Sequence, residues 1–254
     1  MKTRGTAPCR IRLLNVLLLC ALLLALAVPL RASETVVRVG DFSKLAPGDP
    51  LPALWKPLTF KKIEKHTRYR LVADSGQTVL TAQSRESASG LVRKFSIDLN
   101  KFPYINWRWK VARINPKGDV SRKDGDDYPA RIYITFAYDP DQVGFLERAK
   151  FETARLVYGK TPPMAVLNYI WANRAPPGLF VPNAYTERAI MVAVQSGPGG
   201  AGRWVTEKRN VYADYKKAFG KTPTAITGVA IMTDTDNTGE TAEAWYGDIF
   251  FSTE

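Results

Sequence analysis

The sequence predicts a mainly β protein, built as an antiparallel two-sheet sandwich with an inserted amphipathic helix. Short segments rich in Val, Ile, Tyr, Phe and Trp recur along the chain, each bounded by Gly, Pro, Asn or Asp, as is typical of sandwich strands. Several of them alternate between apolar and polar residues, as half-buried strands do. The stretches with helical spacing are insertions between strands and form no strand–helix–strand series, which argues against a parallel α/β sheet.

About eleven segments carry the strand pattern, enough for a complete sandwich. They cover residues 36–40, 68–73, 78–83, 91–97, 105–111, 131–138, 166–172, 190–195, 204–208, 226–233 and 244–251. In the segment 131–138, Ile132, Ile134 and Phe136 share one face. We expect this face to point into the core, because side chains alternate across a strand.

Two stretches break the β pattern. Apolar residues recur at helical spacing over residues 142–158, and Gly159 ends this predicted amphipathic helix. A second, shorter helix is predicted over residues 210–219, with Gly220 after it.

The first 32 residues have the pattern of a secretory signal peptide, because basic residues precede a leucine-rich run over residues 13–28. A cut after Ala32 would release one domain of residues 33–254. We therefore expect an exported protein, periplasmic or extracellular. No later apolar stretch is long enough to span a bilayer, and the sequence makes no prediction of oligomeric state.

The residue types of the released chain exclude several function classes. Both cysteines lie in the leader, so no disulfide or cysteine nucleophile remains. The one histidine, His66, lies in a charged stretch, which argues against a Ser-His-Asp hydrolase and a multi-histidine zinc site.

The net charge falls from +12 to +7 when the leader is removed, because the leader holds five basic residues and no acidic one. A basic surface either favours an anionic envelope component or simply keeps the protein in solution; outside the cytoplasm no nucleic acid partner is expected.

Two acidic loops are candidate metal sites. Asp126 and Asp127 lie in one, and Asp234, Asp236 and Asn237 lie in the other. Clustered oxygen ligands close to a glycine suit calcium, so Asp234, Asp236 and Asn237 are the predicted ligands. The alternative is that these side chains cap their own turn amides.

The same loops could supply paired carboxylates for glycoside hydrolysis, in which one group protonates the leaving oxygen and the other attacks or activates water. The candidate residues are Asp126, Asp127, Asp234, Asp236, Glu240 and Glu243.

Aromatic residues on two predicted strands are candidate sugar platforms. Trp107 and Trp109 share one face of a strand, and Arg108 lies on the other. Sugars stack on flat aromatic rings, but a tryptophan pair also fills a sandwich core. If the pair is core, Arg108 should line the opposite surface beside Arg131.

A second aromatic face carries Tyr169 and Trp171, followed by a proline-rich loop that ends near Asn183 and Tyr185. We expect these four residues to line a binding groove. The alternative is a half-buried face that packs beneath the loop.

Several motifs together resemble one bacterial family, known only as domain of unknown function 3047 (DUF3047). The runs 226–239 and 246–251 carry the resemblance, supported by the runs 107–110, 123–128 and 204–211. The resemblance implies an exported globular domain and no particular activity. The final strands also look like those of galactose-binding-like jelly rolls, which include carbohydrate-binding modules.

The sequence as a whole predicts a jelly-roll β-sandwich that binds a glycan or another envelope component. A carboxylate-dependent glycan hydrolase or lyase is one alternative, and a structural or assembly partner in the envelope is the other.

Overall fold

The computed structural model describes residues 35–145, 148 and 163–254. The predicted leader and most of the predicted helix 142–158 lie outside these residues. Within them, no helix is long and apolar enough to cross a membrane.

The described residues form two sheets packed face to face, as predicted. The strands are β1 (Val36–Gly40), β2 (Lys56–Leu58), β3 (Arg68–Asp74), β4 (Gln77–Arg85), β5 (Ala88–Ile97), β6 (Tyr104–Val111), β7 (Arg131–Phe136), β8 (Ala165–Ala172), β9 (Phe180–Asn183), β10 (Thr186–Ser196), β11 (Val205–Asn210), β12 (Ile226–Asp234) and β13 (Thr241–Ser252). One sheet has the order β11-β6-β13-β4-β3, with β1 also paired to β13. The other has the order β2-β5-β12-β7-β8-β10-β9.

The sheet pairing departs from the prediction in one respect. Strand β10 pairs with β8 in parallel, so the seven-stranded sheet is mixed rather than purely antiparallel. The loop after β8 and the short strand β9 lie between these two strands in the chain, and β9 pairs antiparallel with β10. The return of the chain through β9 therefore places β10 beside β8 in the same direction.

Short helices complete the fold. Helix α1 (Val211–Phe219) confirms the second predicted helix: Asn210 accepts a hydrogen bond from the backbone of Ala213, and Gly220 ends the helix in the left-handed conformation. Short 3-10 turns lie at Phe42–Lys44, Lys123–Gly125, Pro140–Gln142 and Pro198–Gly200.

The core between the sheets is strongly aromatic. Trp107 and Trp109 on β6 pack edge to face with ring centroids 5.3 Å apart, and their rings meet Tyr169 and Trp171 on β8 at 5.4 and 6.0 Å. All four side chains are buried. Each such ring removes a large apolar area from water, and together they join the two sheets.

This packing corrects the platform and groove roles predicted for Trp107, Trp109, Tyr169 and Trp171. Their side chains point between the sheets, so the core alternative is the observed one. Ile132, Ile134 and Phe136 are also fully buried, which confirms the inward face predicted for β7.

Candidate functional site

A cleft of about 1380 Å³ lies on the outer face of the seven-stranded sheet. Its floor is formed by the side chains that alternate with the core residues. Three registered rows of this face cross the sheet. They are Lys94–Gly228–Thr135–Val166–Ala189, Val92–Ala230–Tyr133–Asn168–Met191 and Gly90–Met232–Arg131–Ile170–Ala193. The first row ends at a lysine, whereas the last contains a buried arginine.

The two walls of the cleft come from opposite edges of the sheet. Residues 58–63, which begin at the end of β2, form one wall, and residues 183–186 at the tip of the β9–β10 hairpin contribute to the other. Each wall carries an aromatic side chain that water reaches: Phe60 is 39% exposed and Tyr185 is 56% exposed. Both residues are therefore accessible from solvent, and the Lys123 ammonium lies 5.5 Å from the centre of the Tyr185 ring.

Arg131 organises one end of the cleft. Its side chain is 2% exposed. Nε donates to Oδ1 of Asp234 at 2.8 Å, and Nη2 donates to the other oxygen of the same carboxylate. Nη1 donates to Oδ1 of Asp126 and to the hydroxyl of Tyr133, both at 3.2 Å. The bidentate pair with Asp234 fixes the guanidinium plane.

A second layer of polar groups surrounds this ion pair. The amide of Asn183 donates to Oδ2 of Asp126 at 2.9 Å, which ties the β9–β10 hairpin to the loop before β7. The hydroxyl of Tyr185 lies 2.7 Å from Oδ1 of Asn237, its acceptor in the turn after β12. The hairpin wall is thus held to both acidic loops.

Burial and nearby charges shift the pKa values of Arg131 and Asp236 at this end of the cleft. Burial opposes the charge of Arg131, but the carboxylates of Asp234 and Asp126 outweigh it and raise the pKa of Arg131. Burial, and then the nearby charge of Asp127, raise the pKa of Asp236 above its ordinary 3.8. Because Asp236 lines the cleft, its carboxyl group can donate a hydrogen bond over a wider pH range than an ordinary aspartate.

Carboxylate oxygens of Asp127, Asp234 and Asp236 lie within 4.8 Å of one another. Asp127 accepts from the amide of Asn237 and from the backbone of Thr238, and both oxygens of Asp234 face Arg131. A calcium ion bound here would have to compete with these donors, because oxygens of Asp127 and Asp234 already accept hydrogen bonds from the protein. Calcium binding at Asp234, Asp236 and Asn237 stays an untested prediction.

The structure brings together most of the polar residues predicted from the sequence. The cleft lining includes Asp126, Arg131, Asn183, Tyr185, Asp234, Asp236 and Asn237. Asp127 lies behind them, buried, and holds the turn after β12.

Arg108 belongs to the other sheet. Its guanidinium lies 4.5 Å from the ring of Trp204 and hydrogen-bonds Gln77, on the outer face of the six-stranded sheet. The expectation that Arg108 lies beside Arg131 is therefore wrong, because β6 and β7 are in different sheets.

Several cleft residues escaped the sequence analysis. Asn168 faces the cleft from the centre of β8, Met232 from β12 and Phe60 from the wall after β2. The side chain of Asn168 is 1% exposed, and its Oδ1 has no hydrogen-bond partner among the described residues. A lone amide within the apolar run 165–172 is the signal that could have identified it.

The family model described as protein of unknown function (DUF3047) matches residues 53–250. No curated protein matches the chain.

Among solved structures, the glycoside hydrolase domain of Endo-D from Streptococcus pneumoniae R6 matches 79% of this chain at 11% identity, with a TM-score of 0.35; the chain spans 22% of that protein. A point mutant of a family 29 carbohydrate-binding module matches 86% of this chain and 92% of its own at 9% identity, with a TM-score of 0.34. The carbohydrate recognition domain of Emp47p matches 87% of this chain and 98% of its own at 11% identity, with a TM-score of 0.42. These scores carry no argument about ligand or activity.

Proposed function

The chain belongs to the DUF3047 family, and from the cleft on its seven-stranded sheet we propose that it binds a glycan there. The observation that carries this proposal is the pair of exposed rings, Phe60 and Tyr185, on opposite walls of the cleft. Sugar rings stack on aromatic faces, and their hydroxyls need directed polar groups nearby. Asp236 supplies such a group near Tyr185. Asn183 and Asn237 also line the cleft, each with its amide hydrogen-bonded to an aspartate.

A glycan array with the purified protein tests the proposal. We expect retention of a defined set of glycans, at least about fivefold weaker in Tyr185→Ala and in Phe60→Ala, because each loses a stacking contact worth roughly 1 kcal/mol or more. Phe145→Ala is the matched control, since Phe145 is an aromatic residue that is 84% exposed and is not among the residues that line the cleft. If no glycan is retained, or if the control loses as much as the two wall variants, the proposal fails.

The hydrolase alternative needs two carboxyl groups free to act on the substrate. Asp236, with its raised pKa, suits the role of a general acid. Asp126, Asp127 and Asp234 all accept hydrogen bonds from protein donors, which supports binding without turnover. Release of reducing sugar from a retained glycan, abolished by Asp236→Asn, would instead favour the hydrolase.

We also propose that the protein acts outside the cytoplasm, in the periplasm or the extracellular space. The leader pattern of residues 1–32 supports this. Cell fractionation with N-terminal sequencing tests it: we expect a start at Ser33, and an intact leader on a cytoplasmic product would contradict export. The assembly-partner alternative predicts stable co-purification with an envelope protein and no glycan retention.

A further inference from the structure

Aliphatic side chains lie in all three rows of the cleft floor. Val92 and Ala230 are in the middle row, Val166 and Ala189 in the Lys94 row, and Met232 in the Arg131 row. A bare saccharide lying along this floor would bury hydroxyl groups against carbon, at a cost for every unpaired hydroxyl. The floor therefore matches a part of the ligand that has no hydroxyls.

The carboxylate groups, in contrast, lie towards one end. Arg131 and Met232 occupy the same row of the floor, and Asp236, Asn237 and Tyr185 lie around that end. The opposite row contains Gly228, Thr135 and Val166 and ends at Lys94. On β7 the two rows are marked by Arg131 and Thr135. These residues are four positions apart, which is about 14 Å at the rise per residue of a strand. The cleft thus has carboxylates at one end, aliphatic side chains along its floor and the cationic Lys94 at the other end.

We propose that the ligand is a saccharide that carries an aliphatic chain. The saccharide head group binds at the Asp236 end, and the chain lies on the floor towards Lys94. This inference rests on the proposed glycan function and adds the lipid part of the ligand.

Asn168 lies between the two parts. It is in the middle row, beside Tyr133 and Met191, and its Oδ1 is buried without a partner among the residues described. A buried acceptor without a donor is costly in the free protein. A hydroxyl or amide N–H at the junction of sugar and chain would provide that donor, as a glycolipid ligand would.

Calorimetry with matched alkyl glycosides tests the inference. The probes are octyl and methyl β-glucoside and octyl and methyl α-mannoside, each below its micelle-forming concentration. Each methylene removed from water gains up to about fourfold in affinity, so burial of only two methylenes predicts at least about tenfold tighter binding of one octyl glycoside than of its methyl partner. Equal affinities for both pairs, or binding of neither octyl glycoside, overturn the inference.

An octyl polyether without a sugar separates this inference from the proposed function. If it binds as tightly as the octyl glycosides, the head group contributes nothing, and both the glycan function and the inference fail. If methyl and octyl glycosides bind equally, the glycan function stands and only the aliphatic chain is ruled out.

Ala230→Leu fills the floor and should remove the affinity gain of the octyl glycoside over its methyl partner. Ala213→Leu is the matched control, because Ala213 is exposed on α1. Thermal melting checks that both variants fold. An unchanged octyl gain in Ala230→Leu would also overturn the inference.

Discussion

Replacing Asp234 with asparagine removes the negative charge that faces the buried guanidinium of Arg131. Both side chains are 2% exposed, and Asp234 also accepts from the backbone of Tyr128 at 3.3 Å. Breaking a buried pair from one side costs roughly 3–5 kcal/mol, because an uncompensated charge stays buried. Asp126 keeps a bond of 3.2 Å to Nη1 of Arg131, so we expect the lower end, a loss of about 3 kcal/mol.

For a chain of this size, such a loss lowers Tm by about 6–12 °C. Thermal and urea unfolding at pH 7 measure it. The matched control is Asp236→Asn, two residues along the same turn, where the described residues show no ion pair and the carboxylate accepts a hydrogen bond from its own backbone. We expect the control to stay within about 0.5 kcal/mol of the parent or to stabilise it. A loss below about 1 kcal/mol for Asp234→Asn, or equal losses in both variants, would show that the ion pair of Arg131 with Asp234 does not stabilise the fold.

Four further predictions concern other parts of the molecule. The raised pKa of Asp236 means that the folded protein binds this proton more tightly than the unfolded chain does. The parent should therefore lose stability relative to Asp236→Asn as the pH rises from 3.8 through the pKa of the folded state. Equal pH dependence of the unfolding free energy in the two proteins would contradict this. Asn210→Ala should cost about 1 kcal/mol in urea unfolding, because it removes the cap of α1, and no change would mean that the cap is not stabilising. A chelator should leave Tm unchanged, since protein donors already hydrogen-bond the carboxylates of Asp127 and Asp234, and a fall in Tm that added calcium reverses would establish calcium binding. Arg108→Ala should leave glycan retention unchanged, because Arg108 is on the other sheet, and weakened retention would place a second site there.

The sequence predicted the sandwich because most strands carry a pattern that sequence alone displays. Two strands, β2 and β9, were missed. Each is short and contains a proline, Pro57 or Pro182. Both lie at the edges of their sheet, where a proline is tolerated because one side of the strand needs no ladder partner. The local sequence of such a strand cannot be distinguished from that of a loop.

The orientation of β8 was harder to predict. Seven of its eight residues are buried, with no alternation between faces. The reason is that part of its outer face packs against a second apolar cluster, which includes Tyr128 and Met191. A strand covered on both sides gives no signal of which face meets the core. For this reason the sequence predicts Tyr169 and Trp171, rather than Asn168, as groove residues.

The sequence predicts which residues lie at the polar end of the cleft, but it does not predict how they contact one another. Its acidic loops are visible in the sequence as Gly-containing carboxylate runs. The pairing of Arg131 with Asp234 joins residues 103 positions apart, and it depends on β7 and β12 being neighbours in the sheet. The local sequence pattern therefore identifies the carboxylates of the acidic loops. Only the strand order shows that Asp234 forms an ion pair with Arg131 and is not a free ligand.

An aliphatic glycoside bound in the cleft on the seven-stranded sheet would lie against Met232, which lines the cleft, and away from Met164, which lies in the core between the sheets. NMR of methyl-labelled methionine can therefore detect its binding. With octyl β-glucoside or octyl α-mannoside added, we expect a shift of the Met232 methyl signal and nuclear Overhauser contacts from it to the octyl chain, with the Met164 signal unchanged. A Met232 signal that does not move at saturating ligand would show that the chain does not lie in the cleft.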